Sequence, residues 1–398
     1  MFNFFLLTVF FLYFGIFLKI IVSGFSFVIV LLFTLFFYTV KVLKLKLHKE
    51  KTFIWLFLFL NFSFFSTLLS SNILISLKWF FFELIYIGYI YAGISLINDE
   101  FRLEKFFKTI ALASLIPSFF GIFQFFTGYI PPNPDIDTID YVGDRLRVGS
   151  GIIDTNFFAF MITLSFLLSY HLSKFNKKYL LISFINLIVC VLTFSRTFFI
   201  FFGLFIIILL KDLFKNTKNF LFVIIFLLIL ILLLSFSDIN ELVVLRLQSG
   251  SDITSGLSRI VQLEKGINML QDNLFFGVGG EAFKYNYNLY DDFNFVSKYI
   301  ADSAESFGFS YNQLQKILNV NTMHNTLLKV LFEQGIIPYI PFMIFLFLIL
   351  RFSLQHQITL LIFLACFVFM MFMPLDSFIF FWLYILCIYS YHKINIKK

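Results

Sequence analysis

The chain has 398 residues, of which 60% are hydrophobic and 13% charged, and it carries a formal charge of +7. Its mean hydropathy is +0.93. No soluble domain hides that much apolar surface, so composition excludes a globular enzyme and leaves a polytopic membrane protein. The basic residues lie mostly between apolar runs, which points to membrane orientation and not to a nucleic-acid partner.

The first apolar run starts at Phe2 with no basic segment before it and no small-residue cleavage site after it. Residues 2–18 therefore read as a retained span, not a removed signal. Further runs of roughly span length follow at 20–40, 52–70, 79–97, 109–130, 153–173, 179–194, 197–210, 220–236, 325–350, 358–374 and 377–391. The expectation is an all-α protein with about twelve transmembrane helices. The 65 phenylalanines read as generic lipid-facing residues, and Cys190, Cys366 and Cys387 sit in apolar runs without metal or disulfide spacing.

Polar connections alternate in charge. Lys41, Lys44, Lys46, Lys49 and Lys51 follow the second run; Arg102, Lys105 and Lys108 follow the fourth; Lys174, Lys177 and Lys178 follow the sixth. Lys211, Lys215 and Lys218, then Arg351, then Lys393, Lys397 and Lys398 fall on the same side. The positive-inside rule makes that side cytoplasmic, with both termini there. Residues 131–152 and 237–323 then lie outside, and the longer segment holds ten acidic residues against six basic ones. The expected organisation is a membrane domain over 1–236 with nine spans, an extracytoplasmic loop over 237–323, and a second membrane domain over 324–398 with three.

Residues 179–210 are apolar except at Ser195-Arg196, too long for one crossing and short for two. One crossing would put the flanking lysines on opposite sides, so two short helices meeting at Ser195-Arg196 are predicted. Arg196 would be recessed below the outer surface, where a cation pairs or lines a wet cavity. Snorkelling to the interface is the plainer alternative.

In the long loop, Ile260, Leu263, Ile267 and Leu270 recur at helical spacing. They predict an amphipathic helix lying on the membrane face of the protein, N-capped by Ser255 or Ser258, with Arg259 in its first turn. Gly277-Val278-Gly279-Gly280 lacks the Lys-Ser/Thr of a phosphate loop and reads as a tight reversal. The Tyr, Asn and Asp residues of 285–311 suit sugar contacts, but an ordinary solvated loop is the better reading of them.

The loop ends at Met323-His324-Asn325-Thr326-Leu327-Leu328. His324 is alone among the histidines in facing outward; His48, His171, His356 and His392 fall on the cytoplasmic side of the predicted topology. An imidazole at the loop–membrane junction is suited to moving a proton. A helix starting there carries Glu333 into the membrane, and Lys329 and Glu333, four apart, read either as an internal ion pair or as catalytic groups.

At these residues the chain resembles the O-antigen ligase and polymerase superfamily. The matching pieces are Phe194-Ser195-Arg196-Thr197, Gly256-Leu257-Ser258-Arg259, Asp272-Asn273-Leu274-Phe275-Phe276-Gly277-Val278-Gly279, His324-Asn325-Thr326-Leu327-Leu328 and Glu333-Gln334-Gly335-Ile336-Ile337. A weaker match is Arg147-Val148-Gly149 leading to Asp154-Thr155-Asn156. The resemblance implies a GT-C-like membrane fold and an inverting, metal-independent glycosyltransferase without cofactor. Such an enzyme moves a glycan from undecaprenyl diphosphate to a sugar hydroxyl on the outer face of the bacterial inner membrane.

It implies His324 as the catalytic base and Arg196 and Arg259 as diphosphate ligands, with Arg147, Asn325, Glu333 and Asp376 in support. Its partners would be a lipid-linked oligosaccharide or polysaccharide donor, a glycan acceptor and membrane lipids. A ligase takes lipid A–core as acceptor; the alternative, a polymerase, takes another lipid-linked repeat unit. A lipid-linked glycan flippase is a weaker reading, to which only Lys78 and Glu83 in the fourth run lean, and a non-catalytic envelope scaffold is weaker still.

Overall fold

A computed structural model describes residues 2–21, 51–129, 141–142, 145–146, 148–149, 154–213, 251–286, 323–376 and 378–395. Most of the second apolar run, the ninth run, Arg147 and nearly all of the Tyr/Asn/Asp-rich stretch lie outside them. Apart from one two-stranded hairpin, the described elements are helices. In chain order they are α1 (Phe2–Ile21), α2 (Lys51–Leu69), α3 (Ile73–Leu96), α4 (Glu100–Ala113), α5 (Leu115–Thr127), β1 (Tyr141–Val142), β2 (Arg145–Leu146), α6 (Thr155–Ser173), α7 (Lys178–Leu192) and α8 (Arg196–Leu213). They continue with α9 (Ser251–Asp272), α10 (Phe283–Asn286), α11 (Thr326–Gln334), α12 (Ile336–Ser353), α13 (Gln357–Met370) and α14 (Ile379–Asn395). Five described stretches are long and apolar enough to cross a membrane: Thr52–Leu69, Ile73–Leu96, Glu100–Thr127, Thr155–Ser173 and Ile336–Ser353.

The chain divides into two compact units. The first contains α1, α4 to α8, the hairpin and most of α13. Its centre is α6, which is buried along nearly its whole length, including Phe158, Phe160, Met161, Phe166 and Leu168. A helix apolar all round belongs in an interior, and this one follows that rule. Asp154 starts it by accepting the Asn156 N–H at 2.6 Å. Polar side chains tie its neighbours together: Ser118 donates to Asn186 Oδ1 at 2.8 Å, and Asn186 Nδ2 donates to Ser114 Oγ at 3.0 Å. Between apolar helices such bonds have no water to compete with them.

The fifth predicted span is not one unbroken helix. It begins earlier, where Asp99 caps α4 by accepting the Arg102 N–H at 2.8 Å, and is divided from α5 at Ser114. The predicted break at Ser195-Arg196 is present: α7 stops at Leu192, Phe194 takes a left-handed φ of 50°, and α8 opens at Arg196.

The second unit contains α2, α3, α9 to α12 and α14. Aromatic contacts fill it, with Phe53 on Tyr389 (5.2 Å between centroids) and Phe59 on Phe342 (5.1 Å). The predicted tenth span is two helices. Gly335, at φ 78°, ends α11, and the membrane-length helix α12 starts only at Ile336. The break has a visible cause. Residues 274–279 lie against it backbone to backbone, with Ile336 N–H on Leu274 O (2.9 Å), Ile337 N–H on Phe275 O (3.1 Å) and Gly279 N–H on Glu333 O (2.7 Å). A Cβ at Gly277, itself at φ 63°, would fall against the Glu333 carbonyl, so that chain approach requires glycine.

Candidate functional site

His324 is exposed and immediately precedes the N-cap of α11. Asn325 caps the helix, its Oδ1 accepting the Leu328 N–H at 3.0 Å. The cap therefore lies one residue, and the first helical residue two, after a start at His324. The His324 backbone N–H donates to Gln262 Oε1 at 3.0 Å. Gln262 is buried on α9, and its Nε2 has no hydrogen-bond partner among the described residues. Nothing in the sequence marked Gln262, because its bond crosses 62 residues of chain.

Helix α9 differs from its expected form. It starts at Ser251, so Ser255 and Ser258 lie inside it, and Arg259 stands in its third turn instead of its first. Its packed face carries Val261, Gln262, Lys265 and Met269, while Ile260, Leu263 and Ile267 are exposed. Gly266 allows this face to close on α11, since a Cβ there would meet the Phe332 ring. Arg259, exposed, lies over the Phe372 ring with its guanidinium carbon 5.4 Å from the centroid. One turn separates it from Gln262, which holds His324.

The segment after α13 is clasped from both helices. Asn325 Nδ2 donates to Met371 O (3.1 Å), Thr326 Oγ1 donates to Met373 O (2.5 Å) and accepts from the Leu375 N–H (2.8 Å). Asp376 follows at once and is buried. Lys329, also buried, bridges Asp376 Oδ2 at 3.0 Å and Glu281 Oε1 at 2.6 Å. Trp79 Nε1 donates to Asp376 Oδ2 at 3.3 Å, and Trp382 Nε1 donates to its backbone oxygen at 3.1 Å.

Lys329 and Glu333 do not form the i,i+4 ion pair that their spacing suggests. Glu333 accepts instead from the backbone N–H groups of Glu281 (2.8 Å) and Phe283 (3.3 Å). Glu281 has a left-handed φ of 56°, a conformation that costs a bulky residue on the order of 1–3 kcal/mol. Both of its ends are used, the N–H by Glu333 and the carboxylate by Lys329. Asp376 and Glu333 lie outside the membrane-length helices. Burial pushes the Asp376 carboxyl up against the opposing pull of Lys329, and burial pushes Glu333 up to about 8.

Arg196 belongs to the first unit, half-buried at the first position of α8. The turn before it is held by Ser195 Oγ donating to Asn156 Oδ1 at 2.9 Å. The structure thus gathers Arg259, His324, Asn325, Glu333 and Asp376 in one unit and puts Arg196 in the other. Arg147 is not among the described residues.

Residues 181–343 match the family model for the O-antigen ligase. Over those residues the chain is similar to O-antigen ligases. No curated protein and no solved structure matches the chain. The matched residues include the Ser195-Arg196 turn, α9, the glycine reversal, His324 and all of α11. Trp79 and Asp376, which complete the Lys329 cluster, come from outside the matched residues. The five long apolar helices among the described residues fit a polytopic membrane protein, and the match over residues 181–343 is to the O-antigen ligase family.

Proposed function

We propose that the protein is an inverting glycosyltransferase of the O-antigen ligase type, acting at the outer face of the bacterial inner membrane. It transfers a glycan from undecaprenyl diphosphate to a hydroxyl of lipid A–core. The observation that carries this reading lies inside the matched residues: one turn of α9 bears Arg259 at one end and, at the other, Gln262, which fixes the backbone of the exposed His324.

The chemistry suits those residues. Loss of a lipid diphosphate builds negative charge on phosphate oxygens, and fixed guanidinium groups stabilise it as it forms. Arg259 and Arg196 take that role. Diphosphate leaves readily without an acid, whereas the incoming hydroxyl gains from a base. His324 accepts that proton as the hydroxyl oxygen attacks the anomeric carbon from the face opposite the departing diphosphate, which inverts the centre. Asn325 and Gln262 orient His324, and Glu333, Lys329 and Asp376 hold the segments around it.

The test is transfer by purified, reconstituted protein, with lipid-linked glycan offered to lipid A–core and, separately, to a second lipid-linked repeat unit. Product on the core alone supports the ligase. Product on the repeat unit alone makes the enzyme a polymerase, and no product on either, with a folded protein, sinks the reading.

A further inference from the structure

Four carboxyl groups of the second unit, Glu83, Glu281, Glu333 and Asp376, feel the charge of the Lys329 ammonium. Three of them have partners already described. Lys329 bridges Glu281 and Asp376, and backbone N–H groups bond Glu333. Glu83 differs. It is 1% exposed, lies within the membrane-length helix α3, and neither of its carboxyl oxygens has a hydrogen-bond partner among the described residues.

Its direction is set by its neighbours. Trp79, one turn earlier on α3, donates to Asp376, and the charged groups facing Glu83 are Asp376, Lys329 and Glu281. Tyr86 lies one turn onward on the same helix. The helices packed along α3 are α2 and α14. Their ionisable groups are Lys51 at the start of one, and Tyr384, Cys387, Tyr389, Tyr391, His392 and Lys393 along the other. Lys393 bonds the Ile94 carbonyl at 3.2 Å, eleven residues or about 16 Å of helix away from Glu83.

An ionised carboxylate without a donor, in an apolar helix and beside two further carboxylates, is strongly disfavoured. A cation would relieve it, but among the described residues no three His, Cys, Asp or Glu side chains are grouped so as to hold a metal ion. We propose that Glu83 is a proton-binding site, a neutral carboxylic acid facing the Lys329–Asp376 ion pair. Loss of that proton would place a new negative charge beside Asp376 and draw Lys329 away from it. The proton on Glu83 therefore guards the bridge that anchors the segment 371–376 to α11. This inference does not depend on the glycosyl-transfer reading.

Infrared spectroscopy of the full-length protein in lipid at neutral pH tests it, comparing the parent with Glu83→Gln. The parent should show a carboxylic-acid C=O band that shifts down in D2O and is missing from the variant; superimposable spectra would overturn the proposal. Should Glu83→Gln fail to fold, the parent alone decides. A hydrophobic carbodiimide, which adds to protonated buried carboxyls, should modify residue 83 on peptide mapping. An unmodified residue 83 in detergent-solubilised parent protein overturns the assignment.

Discussion

Replacing Lys329 by Met gives the sharpest test of how the second unit is held together. The substitution keeps most of the side-chain volume and removes one charge from between two carboxylates. Lys329 and Asp376 have side chains only 4% and 3% exposed, so the loss leaves Asp376 charged and buried without its counter-ion. Breaking such a pair from one side costs about 3–5 kcal/mol. Glu281 is 33% exposed and solvent compensates it, so its share is about 0–1 kcal/mol. The expected total is therefore set almost wholly by Asp376. Adding Asp376→Asn to Lys329→Met removes the orphaned charge and should recover most of the loss, which makes the double variant more stable than Lys329→Met alone. Thermal unfolding in detergent can be followed with a thiol-reactive fluorophore, because Cys190, Cys366 and Cys387 are all buried thiols outside any disulfide. Unfolding of Lys329→Met at the parent temperature, or a double variant no better than the single one, would refute the reasoning.

Other outcomes follow from the same geometry. His324→Ala should lower turnover by about 10²–10⁴-fold in the reconstituted transfer assay while the thiol-exposure melt stays unchanged. Arg259→Lys and Arg196→Lys should rescue donor use poorly, as lysine lacks the planar two-toothed contact with diphosphate; parent-like donor kinetics in both would remove the clamp. Gln262→Met abolishes the acceptor for the His324 N–H, costing stability by about 1 kcal/mol, and should depress kcat far more than that loss explains. Gly277→Ala puts a methyl group against the Glu333 carbonyl at a left-handed φ, so its melting temperature should fall more than that of Gly128→Ala, where φ is also positive but the space around the added Cβ is open.

Much of this arrangement was legible in the chain because it is local. The Ser195-Arg196 break followed from helix length and the sidedness of lysines, and the exposed His324 from its position at the end of a polar stretch. What escaped depends on distant partners. The spacing of Lys329 and Glu333 advertises a helix ion pair, yet Lys329 finds Glu281 and Asp376 at 48 and 47 residues' separation. Glu333 is claimed by main-chain donors that no side-chain pattern announces. In helix α9 the spacing of Ile260, Leu263 and Ile267 announced the helix, whereas nothing local announced that Gln262 and Lys265 would pack inside the protein. The unseen determinant was Gly266, whose missing side chain admits Phe332.

The seam between residues 274–279 and the α11–α12 junction joins peptide groups directly, with glycines where side chains would intervene. Such a joint has almost no give, since main-chain donors and acceptors cannot swing to new rotamers. A displacement of residues 274–279 would thus be felt as a rigid push at the head of α12, not absorbed in between. Engineering that seeks to loosen the site should leave this weld intact and work on the Phe372 side, where contacts are made by movable side chains.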